Sequence, residues 1–141
     1  MVQEITSLNS FFNDIFVDLK CHQDTKAYIT SIFSRHHSAS FDLSKDSITL
    51  IFSEAKNNQD FATFQKVADW IFFSKSFTPE HLRAASEEYY YNIGKLSYYN
   101  CYKLINGKWR LFEELSDNFI TLEKETRGIL QNIGMSRLFI D

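Results

Sequence analysis

The chain has one proline and four glycines among 141 residues, too few turn-formers for the many reversals of an all-β sandwich or barrel. Long helices are the natural alternative. Gly94, Gly107, Gly128 and Gly134 stand apart, so there is no glycine-rich loop to cradle a phosphate. Cys21 and Cys101 each lack a second cysteine at metal spacing and read as reduced thiols within helical patterns. Basic residues are not in excess: fifteen Lys and Arg are scattered among eighteen acids, a formal charge of −3. That excludes the positive footprint of a dedicated nucleic-acid binder. No apolar run approaches a membrane span, and the start MVQEITSLNSFFNDIFVDLK has neither a basic leader nor a small-residue cleavage site. The expectation is a single domain over residues 1–141, soluble and cytoplasmic, from a prokaryote or virus, with no membrane partner.

What the chain does have is aromatic bulk: 16% aromatics and fourteen phenylalanines. Ile5, Leu8, Phe12, Ile15, Phe16 and Leu19 recur at helical spacing, with Phe11 at the edge of the arc, and predict a first helix ending near Cys21. Asp24 is a candidate N-cap for a second, in which Tyr28, Ile29, Ile32, Phe33 and His36 share a side. Ser47 to Ser53 fits both a strand and a helix face of Ile48, Ile51, Phe52 and Ala55. Helix is expected, because a strand there would have only the short piece at Phe41 to pair with. Phe61, Phe64, Val67, Ala68, Ile71 and Phe72 form a strong face, and Trp70 and Phe73 project away towards a second contact surface.

Thr78, Pro79 and Glu80 combine a capping hydroxyl, a proline suited to the first helical position and an acid at the positive end of the dipole. They predict the start of a Tyr-rich helix over about residues 79–106, which holds six of the seven tyrosines. Asn106-Gly107 is read as its stop, with a hairpin turn as the alternative. Leu111, Phe112, Leu115, Phe119 and Leu122, then Ile129, Leu130 and Ile133, continue the helical pattern, with Ser116 or Asp117 as a possible new cap. The fold class is therefore all-α, a single domain of five to seven helices around the Tyr-rich one. Phe64, Ile71, Phe72, Ile93, Leu96, Phe112 and Phe119 are its expected core.

The segments DWIFF, PEHL, YYYNIG, SYYNCY and LFEELSDNF, from Ala68 to Leu122, resemble a group of bacterial all-helical proteins. That group shows an aromatic run after DW or DL, a Phe-Pro-Glu element, a Tyr-Tyr…Gly…Tyr helix and a Leu-Phe…Leu-Ala…Phe helix. Here Phe77-Thr78-Pro79 departs from the direct Phe-Pro junction. The resemblance implies the helical fold and carries no activity.

Chemistry-bearing residues read as bland. The four histidines, His22, His36, His37 and His81, form neither Glu-x-x-His nor His-Glu-x-x-His, so no metal is expected. Cys21 beside His22 lacks a nucleophile elbow or oxyanion loop. Glu87-Glu88 and Glu113-Glu114 read as solvated helix faces. No catalytic residue and no cofactor is assigned.

On the Tyr-rich helix, Leu82, Ala85, Tyr89, Ile93, Leu96 and Asn100 make the expected core stripe, and Tyr91, Tyr98, Tyr102 and Ile105 fall opposite. Gly94 among them implies close approach of another group. The second stripe has three readings: a helix between two layers of its own protein, a surface for a protein partner or a second copy, and a pocket converging on Tyr98 and His81. The resulting expectation is a non-enzymatic interaction protein, an adaptor or homodimer, with Tyr91, Tyr98, Tyr102, Gly94 and His81 as candidate interface or pocket residues. The alternative is a small-molecule binding protein or an enzyme of unrecognised type, its pocket lined by tyrosine hydroxyls.

Overall fold

The structure, a computed structural model, describes residues 2–36, 44–79, 82 and 85–134, with side chains from residue 8 onward. Among these residues there are seven helices and no strand: α1 Val2–Ile15, α2 Gln23–His36, α3 Lys45–Asn58, α4 Phe61–Phe77, α5 Glu87–Leu104, α6 Leu111–Asp117 and α7 Phe119–Asn132. The all-α expectation holds, including the ambiguous stretch at Ser47. There Ser44 caps α3, its Oγ accepting from the Ser47 N–H at 3.3 Å, and Ile48, Phe52 and Ala55 are buried.

The helix at the centre is α4, which packs on α2, α3, α5 and α7. From Ile71 to Phe77 every side chain is buried, the polar Ser74, Lys75 and Ser76 included, so this half of the helix is wrapped on all sides. Phe64 meets Phe52 of α3 edge-on at 5.6 Å, Phe72 meets Phe119 of α7 at 5.5 Å, and Phe73 meets Phe33 of α2 at 5.2 Å. Phe33 continues the chain of rings to Phe16 of the α1 end at 5.0 Å. Phe73 is thus the second contact surface expected of α4. α1 itself stops at Ile15, short of the expected Cys21, although Phe16 and Leu19 beyond it stay buried.

Two expectations about the Tyr-rich helix are corrected. It does not start at Pro79. The Thr78 N–H donates to Ser74 O at 2.9 Å and closes α4, while α5 begins after Ser86, whose Oγ accepts from the Tyr89 N–H at 3.1 Å. Ser86 is followed by two acids in the first turn, Glu87 and Glu88, which complement the positive helix end. The helix is also rotated relative to the expected stripe: Tyr90, Tyr91, Gly94, Ser97, Tyr98 and Cys101 are buried, and Leu96 is 47% exposed. Of the expected core, Phe64, Ile71, Phe72, Phe112 and Phe119 are buried, Ile93 is half-buried and Leu96 faces out.

Asn106-Gly107 is a helix stop. Both residues have left-handed backbones, φ 56° and 70°. The Gly107 N–H donates to Tyr102 O and the Asn106 N–H to Lys103 O, each at 2.9 Å. This reciprocal pair is a Schellman cap. Between α6 and α7 the break is a single residue, Asn118, with no side-chain cap.

Candidate functional site

Residues seven apart on a helix return to nearly the same face, so Tyr91 and Tyr98 point the same way from α5. That way is inward, 6% and 0% exposed. Each hydroxyl reaches a buried carboxylate from another helix. Tyr98 donates to Asp69 Oδ1 of α4 at 2.6 Å, and Tyr28 of α2 donates to the same oxygen at 2.7 Å. Gln65 Nε2 donates to the Tyr28 oxygen at 2.9 Å, and Arg35 Nη2 lies 3.6 Å from Asp69 Oδ2. Burial pushes the Asp69 carboxyl up to about 6, against the opposing pull of the Tyr98 and Tyr28 hydrogen bonds and the Arg35 charge.

The second carboxylate is Glu123 of α7, fully buried. Tyr91 donates to its Oε1 at 2.5 Å and Ser76 to its Oε2 at 3.2 Å, while Arg127 Nη2 stands 3.2 Å from Oε1. Burial raises its pKa too. Lys75 completes the group, with Nζ 5.0 Å over the Tyr91 ring and 3.2 Å from Glu87. Desolvation, reinforced by the neighbouring acids, holds both phenols well above their ordinary range. These hydroxyls are donors spent on keeping two charges in the interior.

Tyr91, Gly94 and Tyr98 lie together on the buried face of α5. A Cβ at Gly94 would stand 2.4 Å from Phe119 Cζ, which accounts for the glycine. Tyr102 is half-buried, its pKa raised by desolvation and then by the charge of Glu113. His81 lies outside the described residues.

Sequence reasoning missed a different place. The α1–α2 connection is gripped by the other end of the fold: Glu114 Oε1 of α6 accepts from the His22 N–H at 3.2 Å, and Glu125 Oε1 of α7 accepts from the Lys20 N–H at 3.2 Å. Beside that grip an open cleft of about 650 Å³ separates the start of α2 from Trp109 and α6. Asp24, Glu113, Glu114 and Asp117 bring four carboxylates to its lining, against the guanidinium of Arg110 and the imidazole of His22, whose Nε2 lies 3.9 Å from Glu114 Oε2. Arg110 is held 3.1 Å from Glu113. Trp109 is 51% exposed, edge-on to Phe112 at 5.6 Å between ring centres. Thr25, fully buried, also lines the cleft, and its hydroxyl has no hydrogen-bond partner among the described residues. The signal in the sequence was the tryptophan two residues after Gly107 of the helix stop, followed by acids at Glu113, Glu114 and Asp117.

The thiols are poorly set for nucleophilic work. Burial pushes Cys101 up to about 12 and, with the charge of Glu114, Cys21 up to about 11, so both are protonated at neutral pH. Among the described residues no group of three or more His, Cys, Asp or Glu side chains could hold a metal ion. No helix among them is long and apolar enough to cross a membrane. Comparison with family models, with curated proteins and with solved structures gives no match to this chain.

Proposed function

We propose that this chain is a non-catalytic binding protein that engages another protein, or a second copy of itself, at the cleft between the start of α2 and α6. The observation that carries the reading is Trp109, a large aromatic left half-exposed at the mouth of a cleft. Tryptophan is among the side chains that most often anchor protein interfaces. Elsewhere the polar chemistry is turned inward: Asp69 and Glu123 are bonded by tyrosine hydroxyls, and both thiols stay protonated. The unpaired cysteines support a reducing, cytoplasmic setting.

A photoreactive amino acid placed at position 109 in cells tests this, with Leu50, 61% exposed on α3, as the control position. A discrete adduct from position 109 and not from position 50, including an adduct at twice the chain mass, supports the reading. No adduct, or the same adducts from both positions, contradicts it.

A second reading, small-molecule binding, is favoured by the cleft volume, which lies within the roughly 300–1,000 Å³ typical of ligand pockets. It uses the cleft and not the tyrosines, whose hydroxyls at positions 91 and 98 are already committed.

A further inference from the structure

We infer that the cleft takes an organic cation on a flat or aliphatic stem, the guanidinium or ammonium of a basic side chain that the partner presents; this rests on the cleft being the binding site. Charge comes first. Of the four carboxylates lining the cleft, Glu113 is paired with Arg110 and Glu114 accepts from the His22 N–H. Asp24 and Asp117 remain, both exposed and without an ion-pair partner among the described residues. They are free to receive a positive charge.

The start of α2 argues the other way, because the N–H groups of a first turn favour an anion. Asp24 within that turn and Glu114 on the His22 N–H already supply the negative charge. An incoming anion would meet four acids at the position where it needs donors.

Trp109 supplies the second element. Its half-exposed ring offers a face to a cation, and among cations a guanidinium stacks best on such a ring while keeping its N–H groups for carboxylates. Thr25 supplies the third. A buried hydroxyl without a partner is costly; closed to water at rest, it accepts one N–H of the bound group once the side chain turns to the cleft that Thr25 lines. Aromatic face, free carboxylates and an unfilled acceptor are the parts of a basic side-chain site.

The test is a nuclear magnetic resonance titration of the whole chain, following the Trp109 indole N–H and the Thr25 amide. The Trp70→Phe variant assigns which indole is which. Four probes are compared: a glycine-flanked arginine pentapeptide, the same peptide with norleucine, the same with glutamate, and the free amine agmatine. The arginine peptide should shift both signals saturably and the norleucine peptide should not. Asp24→Asn combined with Asp117→Asn, on the exposed rim, should weaken the arginine peptide by about tenfold or more. Thr25→Val should also weaken it while the fold melts no lower than wild type, since the lost hydroxyl had no partner.

Equal shifts from the arginine and norleucine peptides, or indifference to the two Asp→Asn changes, overturn the cation site. If the glutamate peptide binds instead, the cation inference fails and the cleft stands as a site. Binding of agmatine with exclusion of the arginine peptide keeps the cation chemistry and removes the protein partner. Silence of both signals with every probe removes the cleft reading as well.

Discussion

The Tyr98 hydroxyl donates to Asp69 across 2.6 Å, and neither side chain sees appreciable solvent. An acid so enclosed prefers its proton. Burial raises the folded carboxyl from 3.8 to about 6, so between those values the folded chain binds the proton that the unfolded chain has released. The contribution of Asp69 is therefore full below the unfolded value and is lost as pH rises through about 6. Relative to wild type, Asp69→Asn should gain stability between pH 4 and pH 7, by on the order of 3 kcal/mol at about 1.4 kcal/mol per unit. Urea melts of both proteins across that range would show it; a constant difference would mean that Asp69 is not desolvated.

Gly94 faces the Phe119 ring, and that ring is itself fixed by Phe72 at 5.5 Å and Tyr98 at 5.8 Å. Gly94→Ala should destabilise the protein by about 1–2 kcal/mol, because overpacking of about 1–3 kcal/mol exceeds the helix-propensity gain of about 1 kcal/mol. An increase in thermal stability would show that α5 and α7 can separate freely.

Gln59 ends α3 with φ 48°, and the Asp60 N–H behind it donates to Ala55 O at 3.0 Å. A left-handed backbone suits glycine, so Gln59→Gly should stabilise the fold by about 1 kcal/mol, although glutamine is usually the better helix former. Differential scanning calorimetry reads the sign directly.

The thiols give a chemical test. Cys101 is buried and Cys21 half-buried, both with raised pKa values. Iodoacetamide at pH 7.5 should leave Cys101 unmodified and label Cys21 more slowly than a free peptide thiol, with both reacting in urea. Fast labelling of either in the folded chain would point to an activated nucleophile and against the non-catalytic reading.

The all-helical fold was legible because caps, periodicity and the scarcity of turn residues agree. The orientation of α5 was not. Its two stripes are both apolar, and periodicity alone cannot say which faces in. Asp69 and Glu123 decide it: two charges from other helices need hydroxyls at Tyr98 and Tyr91. Gly94 was the readable clue, since a glycine inside a helix marks the side of closest approach. The Pro79 start misled because Thr78 carries the same capping chemistry as Ser86, and only tertiary context makes it the end of α4. Trp109 and the acids after it were visible in the sequence, but the cleft they line was not, because its walls at Asp24 and Trp109 come from distant segments.

α5 shows its tyrosines to the protein's own core, and a double-mutant cycle between Asp69→Asn and Tyr98→Phe measures that most directly. At pH 8, where Asp69 is ionised, the two changes should couple by about 1 kcal/mol or more, as expected when one donor of a charged hydrogen bond is removed. At pH 4.5 the coupling should shrink as the carboxyl takes up its proton. Additivity within about 0.5 kcal/mol at both pH values, with Tyr98→Phe as stable as wild type, would contradict the account.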